Sequence, residues 1–212
     1  KAGDLMWTPE DNRYDFPGFG SEYFQDQAQN VYESMRSMGN LVRSDNLLAA
    51  MVTGNGAVSD NGIYSRCNSV WISSLVKLNK DSEALDVYDR LKEFPNLCQQ
   101  DNLVSHSISS GGKSKDAYID SLDNCLWIDA QLSLGKKDDA LKTYHEMINR
   151  NFLRKNNLIK NSHRKDEISL ENNLVWIQTL LKLAKNQEAL KAYKSLKELD
   201  GILTDDNLLC IN

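Results

Sequence analysis

The sequence WIDAQLSLGKKDDALKTYHEM (residues 127–147) decides the fold, because closely similar copies of it stand at two other places in the chain. The other copies are WISSLVKLNKDSEALDVYDRL (residues 71–91) and WIQTLLKLAKNQEALKAYKSL (residues 176–196). The three align without a gap over 21 positions and share the tryptophan, a lysine nine residues later, an Ala-Leu pair and a tyrosine. Ungapped self-similarity of this length predicts a repeat architecture.

Each copy predicts a helical hairpin. Its apolar residues fall at helical spacing in two groups, one starting at the tryptophan and one at the Ala-Leu pair. The turn between the groups is so short that the two helices must be antiparallel neighbours. A hairpin cannot bury both of its faces alone, so successive hairpins are expected to stack. We therefore predict an all-α fold, a right-handed α-solenoid with a unit of about 50–56 residues.

The same pattern predicts how the chain is divided. A helix is expected at about residues 22–38, where Tyr32 and Met35 repeat the spacing of Tyr88 and Leu91. This makes it the second half of a repeat. Residues 1–20 contain two prolines and three glycines without a helical period, which predicts an irregular arm packed on the first helices. The helical repeat domain then spans residues 21–212, as a half repeat at 21–45 and units at about 46–101, 102–156 and 157–206.

Composition limits the classes of function. The net charge is -5, whereas nucleic-acid-binding domains usually carry a basic surface. The basic exception is the segment 150–165, which contains six Lys or Arg residues and no acid. No apolar run approaches the roughly 20 residues that span a membrane. The four cysteines form no CxxC pair or disulfide framework, and no Asn-x-Ser/Thr acceptor is present, which favours an intracellular protein.

A second short phrase follows each tyrosine helix. It consists of Asp or Asn, then Asn and two apolar residues, and it begins at Asp45, Asp101, Asn156 and Asp206. Asp or Asn before an apolar run is a plausible N-cap, so a short helix is one expectation for the residues that follow. The polar stretches after it are expected to be loops or a short extra helix.

The segment GKKDDALKTYHEM (residues 135–147) and its tail resemble the pentatricopeptide repeat, in which such a helix is followed by a tail that ends in Asp. The tetratricopeptide repeat shares the Ala-Leu-x-x-Tyr helix but lacks this tail, so it is the second choice. The resemblance implies an organellar, mitochondrial protein that binds single-stranded RNA, with one base per repeat.

The resemblance also implies binding residues. The family contacts each base with the tail Asp or Asn, here Asp101, Asn156 and Asp206, and with a polar residue early in the first helix. The consensus spacing places that partner on Ser69, Cys125 and Leu174. Asparagines that could contact base edges stand one place earlier in all three copies, at Asn68, Asn124 and Asn173. The alternative is that these asparagines cap the tryptophan helices. Phosphate contacts are expected from the basic segment, at Arg154, Lys155, Lys160, Arg164 and Lys165.

Two other functions stay open. A protein-binding scaffold of tetratricopeptide type would agree with the acidic charge. An α/α-toroid glycosidase would need carboxylates such as Asp45, Asp101 and Asp206 to converge on one cavity. No cofactor is expected, and the three histidines have no companions at metal-ligand spacing.

Overall fold

The computed structural model describes residues 21–38, 41–49, 51–52, 58–60, 62–109, 111–116 and 118–199. Its helices are α1 Ser21–Ser37, α2 Ser65–Lys77, α3 Asp81–Lys92, α4 Ser121–Ser133, α5 Lys137–Asn149, α6 Leu170–Lys182 and α7 Asn186–Lys197. Its strands are β1 Met51–Val52, β2 Val58–Asp60, β3 Ile63–Tyr64, β4 Ser107–Ile108 and β5 Ser114–Asp116. The three sequence copies form the hairpins α2–α3, α4–α5 and α6–α7, and the predicted lone helix is α1. The arm at 1–20 and Asp206 lie outside the described residues.

Each hairpin turns in the same way. A residue in the left-handed region follows the end of the first helix, namely Asn79, Gly135 or Ala184, with φ of 58°, 71° and 59°. The next amide then donates back to the last turn of that helix, as Lys80 N does to Leu75 O at 2.9 Å. This closure satisfies carbonyls that the helix end would leave without a donor, and it reverses the chain within three residues. Acidic residues lie in the first turn of each second helix, where the helix dipole favours negative charge.

Small residues let the paired helices approach closely. Ala84 and Ala140 are fully buried and Ala189 is 2% exposed, each on the second helix where it meets the first. Around them lie two apolar clusters, one shared by α2, α3 and α4 and the other by α4, α5, α6 and α7. Both clusters join adjacent hairpins, so α4 is the element that links the two halves of the core.

The first helices form a continuous row. Helix α2 packs against α4 and α4 against α6, while each second helix packs mainly on its own hairpin partner. The row of first helices therefore forms one layer and the second helices a more widely spaced layer outside it. The predicted all-α helical repeat fold is confirmed. No helix in the described part of the chain is long and apolar enough to cross a membrane.

The segments between the hairpins (38–64, 93–120 and 150–169), here called the intervening segments, differ from the prediction of short helices. In each, the Asp/Asn-Asn phrase forms a tight β-turn that is closed by one isolated bridge, Val42–Leu48, Cys98–Val104 or Leu153–Ile159. The asparagine at the second position of the phrase adopts a left-handed conformation, with φ of 63° at Asn46, 72° at Asn102 and 65° at Asn157. Asparagine tolerates this conformation, which favours a turn over a helix start. No helix begins at Asp45, Asp101 or Asn156, so the N-cap expectation is wrong there.

Two small antiparallel sheets complete the intervening segments. Strands β1 and β2 pair with each other, and β3, β4 and β5 form a three-stranded sheet in that order. Ile63 pairs with Ile108, and both side chains are fully buried. This sheet ties the segment before α2 to the segment before α4, so consecutive first helices begin from one shared support.

Candidate functional site: the repeat interface and the first-helix row

The repeated aromatic residues meet between units. Tyr32 stacks on Trp71, Tyr88 on Trp127 and Tyr144 on Trp176, with ring centroids 5.8, 4.8 and 5.8 Å apart and planes within 16° of parallel. Each tyrosine thus packs on the tryptophan of the following unit. Trp127 is fully buried and Trp176 is 1% exposed, so these tryptophans are core residues and present no face on which a nucleotide base could stack.

A lysine and an acid complete each stack. Lys80, Lys136 and Lys185 lie over the rings of Tyr32, Tyr88 and Tyr144, with Nζ 5.2, 4.9 and 5.0 Å from the centroid. The same three hydroxyls donate to Glu83, Asp139 and Glu188, at 2.7 Å for the first two. Burial and the bond to Asp139 raise the pKa of Tyr88 well above its usual range, and burial and Glu188 do the same for Tyr144.

The sequence carried a signal for this interaction. An acid stands 12 residues after the tryptophan in all three copies, and the lysine stands nine residues after it. The acids and the lysines stand at constant distances from the tryptophan, as expected for residues that form the same contact between successive units. Because the helix dipole alone accounts for an acid in the first turn, the repeated acid does not by itself predict a bond to the tyrosine of the preceding unit.

The three asparagines of the first helices hold the intervening segments in place. Asn124 Oδ1 accepts from Val104 N at 2.9 Å, and its Nδ2 donates to Val104 O and Asp120 O at 3.0 and 2.8 Å. Asn173 makes the same three bonds with Ile159 and Ser169, at 2.8, 3.1 and 2.9 Å. Asn68 repeats them with Leu48 and Tyr64, at 2.8, 3.5 and 2.9 Å. Each of these three residues, here called the clamp asparagines, therefore binds the backbone of a residue in the β-turn bridge, namely Leu48, Val104 or Ile159.

This arrangement contradicts base contacts by Asn68, Asn124 and Asn173. All three side chains are fully buried, and their amides are occupied by backbone groups that would otherwise be buried without a partner. The alternative, that they cap the tryptophan helices, is wrong as well. Asp120 caps α4 by accepting from Leu122 N and Asp123 N, Ser169 caps α6, and Tyr64 precedes α2 without a side-chain bond.

The first-helix positions that the family consensus spacing selects are also buried or half-buried. Ser69 and Cys125 are fully buried and Leu174 is half-buried. Burial raises the pKa of the Cys125 thiol to about 12, which keeps it protonated. The intervening segment lies over the start of each first helix because the clamp asparagine fixes it there. These positions therefore present no row of polar side chains to a ligand.

The tail residues serve the turns. Asp101 Oδ1 accepts from Leu103 N at 3.2 Å and Asn156 Oδ1 from Leu158 N at 3.4 Å, each across two residues. Asp101 is also ion-paired with Arg150 of the next unit. Asn156 stays exposed, whereas Asp101 is partly buried. Of the carboxylates considered for a glycosidase, Asp45 is ion-paired with Arg43 and Asp101 with Arg150, and Asp206 lies outside the described residues.

The cations of the basic segment (residues 150–165) differ in their exposure to solvent. Lys155, Arg164 and Lys165 are exposed, as predicted for phosphate contacts. Lys160 is only 8% exposed, which contradicts its assignment as a phosphate ligand. Arg154 donates to the Asp166 carboxylate at 2.7 Å, so part of its charge is compensated. Burial and the neighbouring Arg164 lower the pKa of His163, so this ring adds no charge to the segment at neutral pH.

One ionic cluster has no counterpart in the repeat pattern. Asp123, whose side chain is fully buried, accepts from Arg66 Nε at 2.8 Å and lies 2.7 Å from His106 Nδ1. Asp120 lies 3.6 Å from the same arginine. The bond to Asp123 raises the pKa of His106, and burial together with the Asp123 charge raises that of Asp120. The residues equivalent to Asp123 are Cys67 and Asn172, so no repeated signal could have pointed to this cluster.

The described residues contain no group of His, Cys, Asp and Glu that could hold a metal ion. The cluster around Asp123 links α2, the residue before β4 and the first turn of α4.

Comparison with known families supports the repeat assignment. Residues 69–95 and 125–152 match the PPR repeat, the pentatricopeptide repeat. Two of the three hairpins thus resemble the PPR repeat, which supports a PPR-like helical repeat. The two matches begin within α2 and α4 and extend past α3 and α5, so they cover the first two complete hairpins. No curated protein sequence matches the chain.

Solved structures with a similar fold are α/α-toroid helical barrels. D-mannose isomerase has a TM-score of 0.69 at 13% identity, over 92% of this chain and 56% of its own. Endo-beta-1,4-glucanase CMCax from Acetobacter xylinum has a TM-score of 0.65 at 14% identity, and the match covers 87% of this chain and 61% of the glucanase. Reducing-end-xylose releasing exo-oligoxylanase has a TM-score of 0.65 at 11% identity, and the match covers 85% of this chain and 56% of the oligoxylanase. The chain spans a little over half the length of these proteins, and at such identities the likeness concerns the fold alone.

Proposed function

We propose that this protein binds single-stranded RNA without catalysing a reaction, and that it holds the RNA backbone instead of one base per repeat. The match of two hairpins to the PPR repeat carries the proposal. The backbone mode follows from burial, because the clamp asparagines and the consensus positions at Ser69 and Cys125 are withdrawn from the surface.

The exposed cations of the basic segment are the proposed contact surface. Lys155, Arg164 and Lys165 lie between α5 and α6 and extend into water. Because the net charge is -5, nonspecific attraction by the rest of the surface is weak. Three phosphate contacts give a slope of log K against log salt of about -2 for a single strand. Affinity should therefore fall roughly 20-fold between about 50 and 200 mM salt.

Fluorescence anisotropy with a labelled, random-sequence single-stranded RNA tests the proposal. The triple variant Lys155→Glu, Arg164→Glu and Lys165→Glu should lose most of the affinity and flatten the salt slope. A matched control reverses three exposed lysines of α7, at Lys191, Lys194 and Lys197, with the same change in net charge. That control should keep affinity within about threefold of the unchanged protein, because long-range charge effects are screened.

Absence of binding at about 50 mM salt would refute the proposal, since phosphate contacts are strongest at low salt. A preference of more than about tenfold for one homopolymer over the others would refute the backbone mode, because base selection needs side chains that reach base edges. An equal loss in both triple variants would place binding outside the basic segment.

A protein-binding scaffold is the second candidate, and one surface favours it. Asp45, Asp86, Asp89 and Glu93 line a recess of about 380 Å³ together with Arg90. Such a recess would suit a basic peptide. Binding of oligolysine that is lost in the variant Asp86→Lys, Asp89→Lys, with no RNA binding by the unchanged protein, would support this candidate. The mitochondrial, intracellular location stays a prediction from the sequence.

A further inference from the structure

A buried carboxylate holds two half-exposed side chains next to each other at the start of α4. One oxygen of Asp123 accepts from Arg66 Nε at 2.8 Å, and the other lies 2.7 Å from His106 Nδ1. The Asp123 side chain is fully buried, whereas those of Arg66 and His106 are 40% and 35% exposed. Because the inner nitrogens face Asp123, the outer nitrogens Arg66 Nη1 and His106 Nε2 lie on the solvent side, and no described residue binds them.

This pair of side chains borders the basic segment. Asp120 lies 3.6 Å from Arg66 and forms an antiparallel bridge with Ser162 of that segment. Bridged residues have Cα atoms about 5 Å apart, and two further residues span at most about 7 Å. The Cα atom of Arg164 therefore lies within about 12 Å of that of Asp120. One RNA strand bound at the exposed cations of the segment can reach Arg66 and His106 as well.

The charge of this surface depends on whether His106 is protonated. With a neutral His106, the single positive charge of Arg66 faces the two negative charges of Asp120 and Asp123, and Glu171 of α6 adds another near Arg66. Such a surface repels phosphate. With a protonated His106, the charges of Asp120 and Asp123 are balanced by two cations whose outer N–H groups face water. Imidazolium and guanidinium groups form short, charge-assisted hydrogen bonds to phosphate oxygens.

We propose that protonated His106 and Arg66 together bind one phosphate of the RNA backbone, and that this contact is released when His106 loses its proton. The inference rests on the proposed function, because it adds a fourth phosphate contact to the three of the basic segment. It makes the RNA affinity of the protein depend on pH.

The direction of this dependence follows from the groups around His106. The bond to Asp123 raises the pKa of His106 above 6.5, and the charges of Asp123 and Asp120 act in the same direction, while burial and Arg66 oppose it. The edge-on ring of Tyr64, with ring centroids 5.3 Å apart, packs on the imidazole. The phosphate contact is therefore present below the raised pKa and is lost as the pH rises through it.

Fluorescence anisotropy with a labelled, random-sequence single-stranded RNA at about pH 6 and about pH 8.5 tests the inference. Each bound phosphate contributes about -0.7 to the slope of log K against log salt for a single strand. The slope should therefore steepen from about -2 at the higher pH to about -2.8 at the lower. At about 50 mM salt, the affinity should be roughly tenfold higher at the lower pH, because a hydrogen bond to a charged donor is stronger than one to a neutral donor.

Two matched pairs of variants assign the effect to these residues. His106→Gln should remove the pH dependence of affinity and slope, whereas His145→Gln, at an exposed histidine of α5, should keep both. Arg66→Gln should lower the affinity about fivefold at the lower pH and less than about twofold at the higher. Arg90→Gln makes the same change in net charge at an exposed arginine of α3 and should have little effect at either pH. Circular dichroism at both pH values verifies that each variant is folded.

Equal pH dependence in the unchanged protein and in His106→Gln would overturn the inference. So would equal effects of Arg66→Gln and Arg90→Gln at the lower pH. In both cases, a loss of binding in the triple variant at Lys155, Arg164 and Lys165 would show that the proposed function still holds. Absence of RNA binding by the unchanged protein at both pH values would refute the proposed function and this inference with it.

Discussion

The hairpins and the intervening segments are held together by different forces. Within and between hairpins, stability comes from buried apolar side chains, with Trp127 stacked 4.8 Å from Tyr88 at the centre. The intervening segments contribute fewer apolar contacts and depend on side-chain hydrogen bonds to their backbone, above all those of Asn124. One continuous stretch of sequence therefore specifies each PPR-like hairpin. The intervening segment over the start of its first helix is instead held by a single asparagine of that helix.

The largest expected effect comes from breaking the hairpin core. Trp127→Ala should lower the free energy of unfolding by about 3–5 kcal/mol, because the side chain is fully buried between adjacent units and leaves a cavity. Urea denaturation monitored by circular dichroism measures the loss. A change below about 1 kcal/mol would mean that Trp127 is not part of the core.

Breaking a clamp should cost somewhat less. Asn124→Ala leaves Val104 N, Val104 O and Asp120 O without their side-chain partner in a buried place, so the loss should be about 2–4 kcal/mol. Asn149→Ala is the control at an exposed asparagine and should change stability by less than about 0.5 kcal/mol. Equal effects of the two substitutions in urea denaturation would contradict the clamp.

The bond between units should have an intermediate effect. Tyr88→Phe removes the hydroxyl that donates to Asp139 at 2.7 Å, and the expected loss is about 1–2 kcal/mol. Tyr193→Phe changes the equivalent tyrosine of α7, which is 49% exposed, and should be close to neutral. Thermal unfolding of the two variants side by side measures the difference, which disappears if the hydroxyl makes no net contribution.

The smallest effect concerns the cluster of His106, Asp123, Arg66 and Asp120. Because the bond to Asp123 raises the folded-state pKa of His106 above 6.5, its contribution is fully present below that pH. It is lost as the pH rises through the folded-state pKa. The side chain is 35% exposed, so solvent screening should keep the change below about 1 kcal/mol.

Urea denaturation between about pH 5.5 and 8.5 measures this change in the unchanged protein and in His106→Gln. The substitution should reduce the fall in stability towards high pH, while His145→Gln should not. A steeper fall in His106→Gln would contradict the assignment.

The hairpins could be predicted from the sequence, whereas the intervening segments could not. The hairpins were predictable because Trp71, Trp127 and Trp176 and the tyrosines that follow them repeat at one spacing that only two antiparallel helices satisfy. The β-turn at Asp101-Asn102 was not, since Asp before an apolar run suits both an N-cap and a turn. The left-handed conformation of Asn102 decides between them. The side-chain amide of Asn102 also donates to Asp139 O and Thr143 Oγ1, residues 37 and 41 positions away that local sequence does not reveal.

The burial of the candidate binding residues could be predicted only in part, for a related reason. Repetition marks positions with a shared role, but it does not distinguish a ligand contact from an internal hydrogen bond. Asn68, Asn124 and Asn173 recur because every unit must hold its intervening segment. Lys155, Arg164 and Lys165, which do not recur, are the predicted cations that the fold leaves exposed.

We propose that the clamp asparagines are internal supports and that single-stranded RNA contacts the basic segment instead. NMR of the side-chain amides of Asn68, Asn124 and Asn173 during titration with single-stranded RNA tests it most directly. We predict slow hydrogen exchange at these amides and no change of their signals, while the backbone amides of Lys155, Arg164 and Lys165 shift. Rapid exchange at the rate of Asn149, or shifts of the three asparagine amides on addition of RNA, would contradict the account.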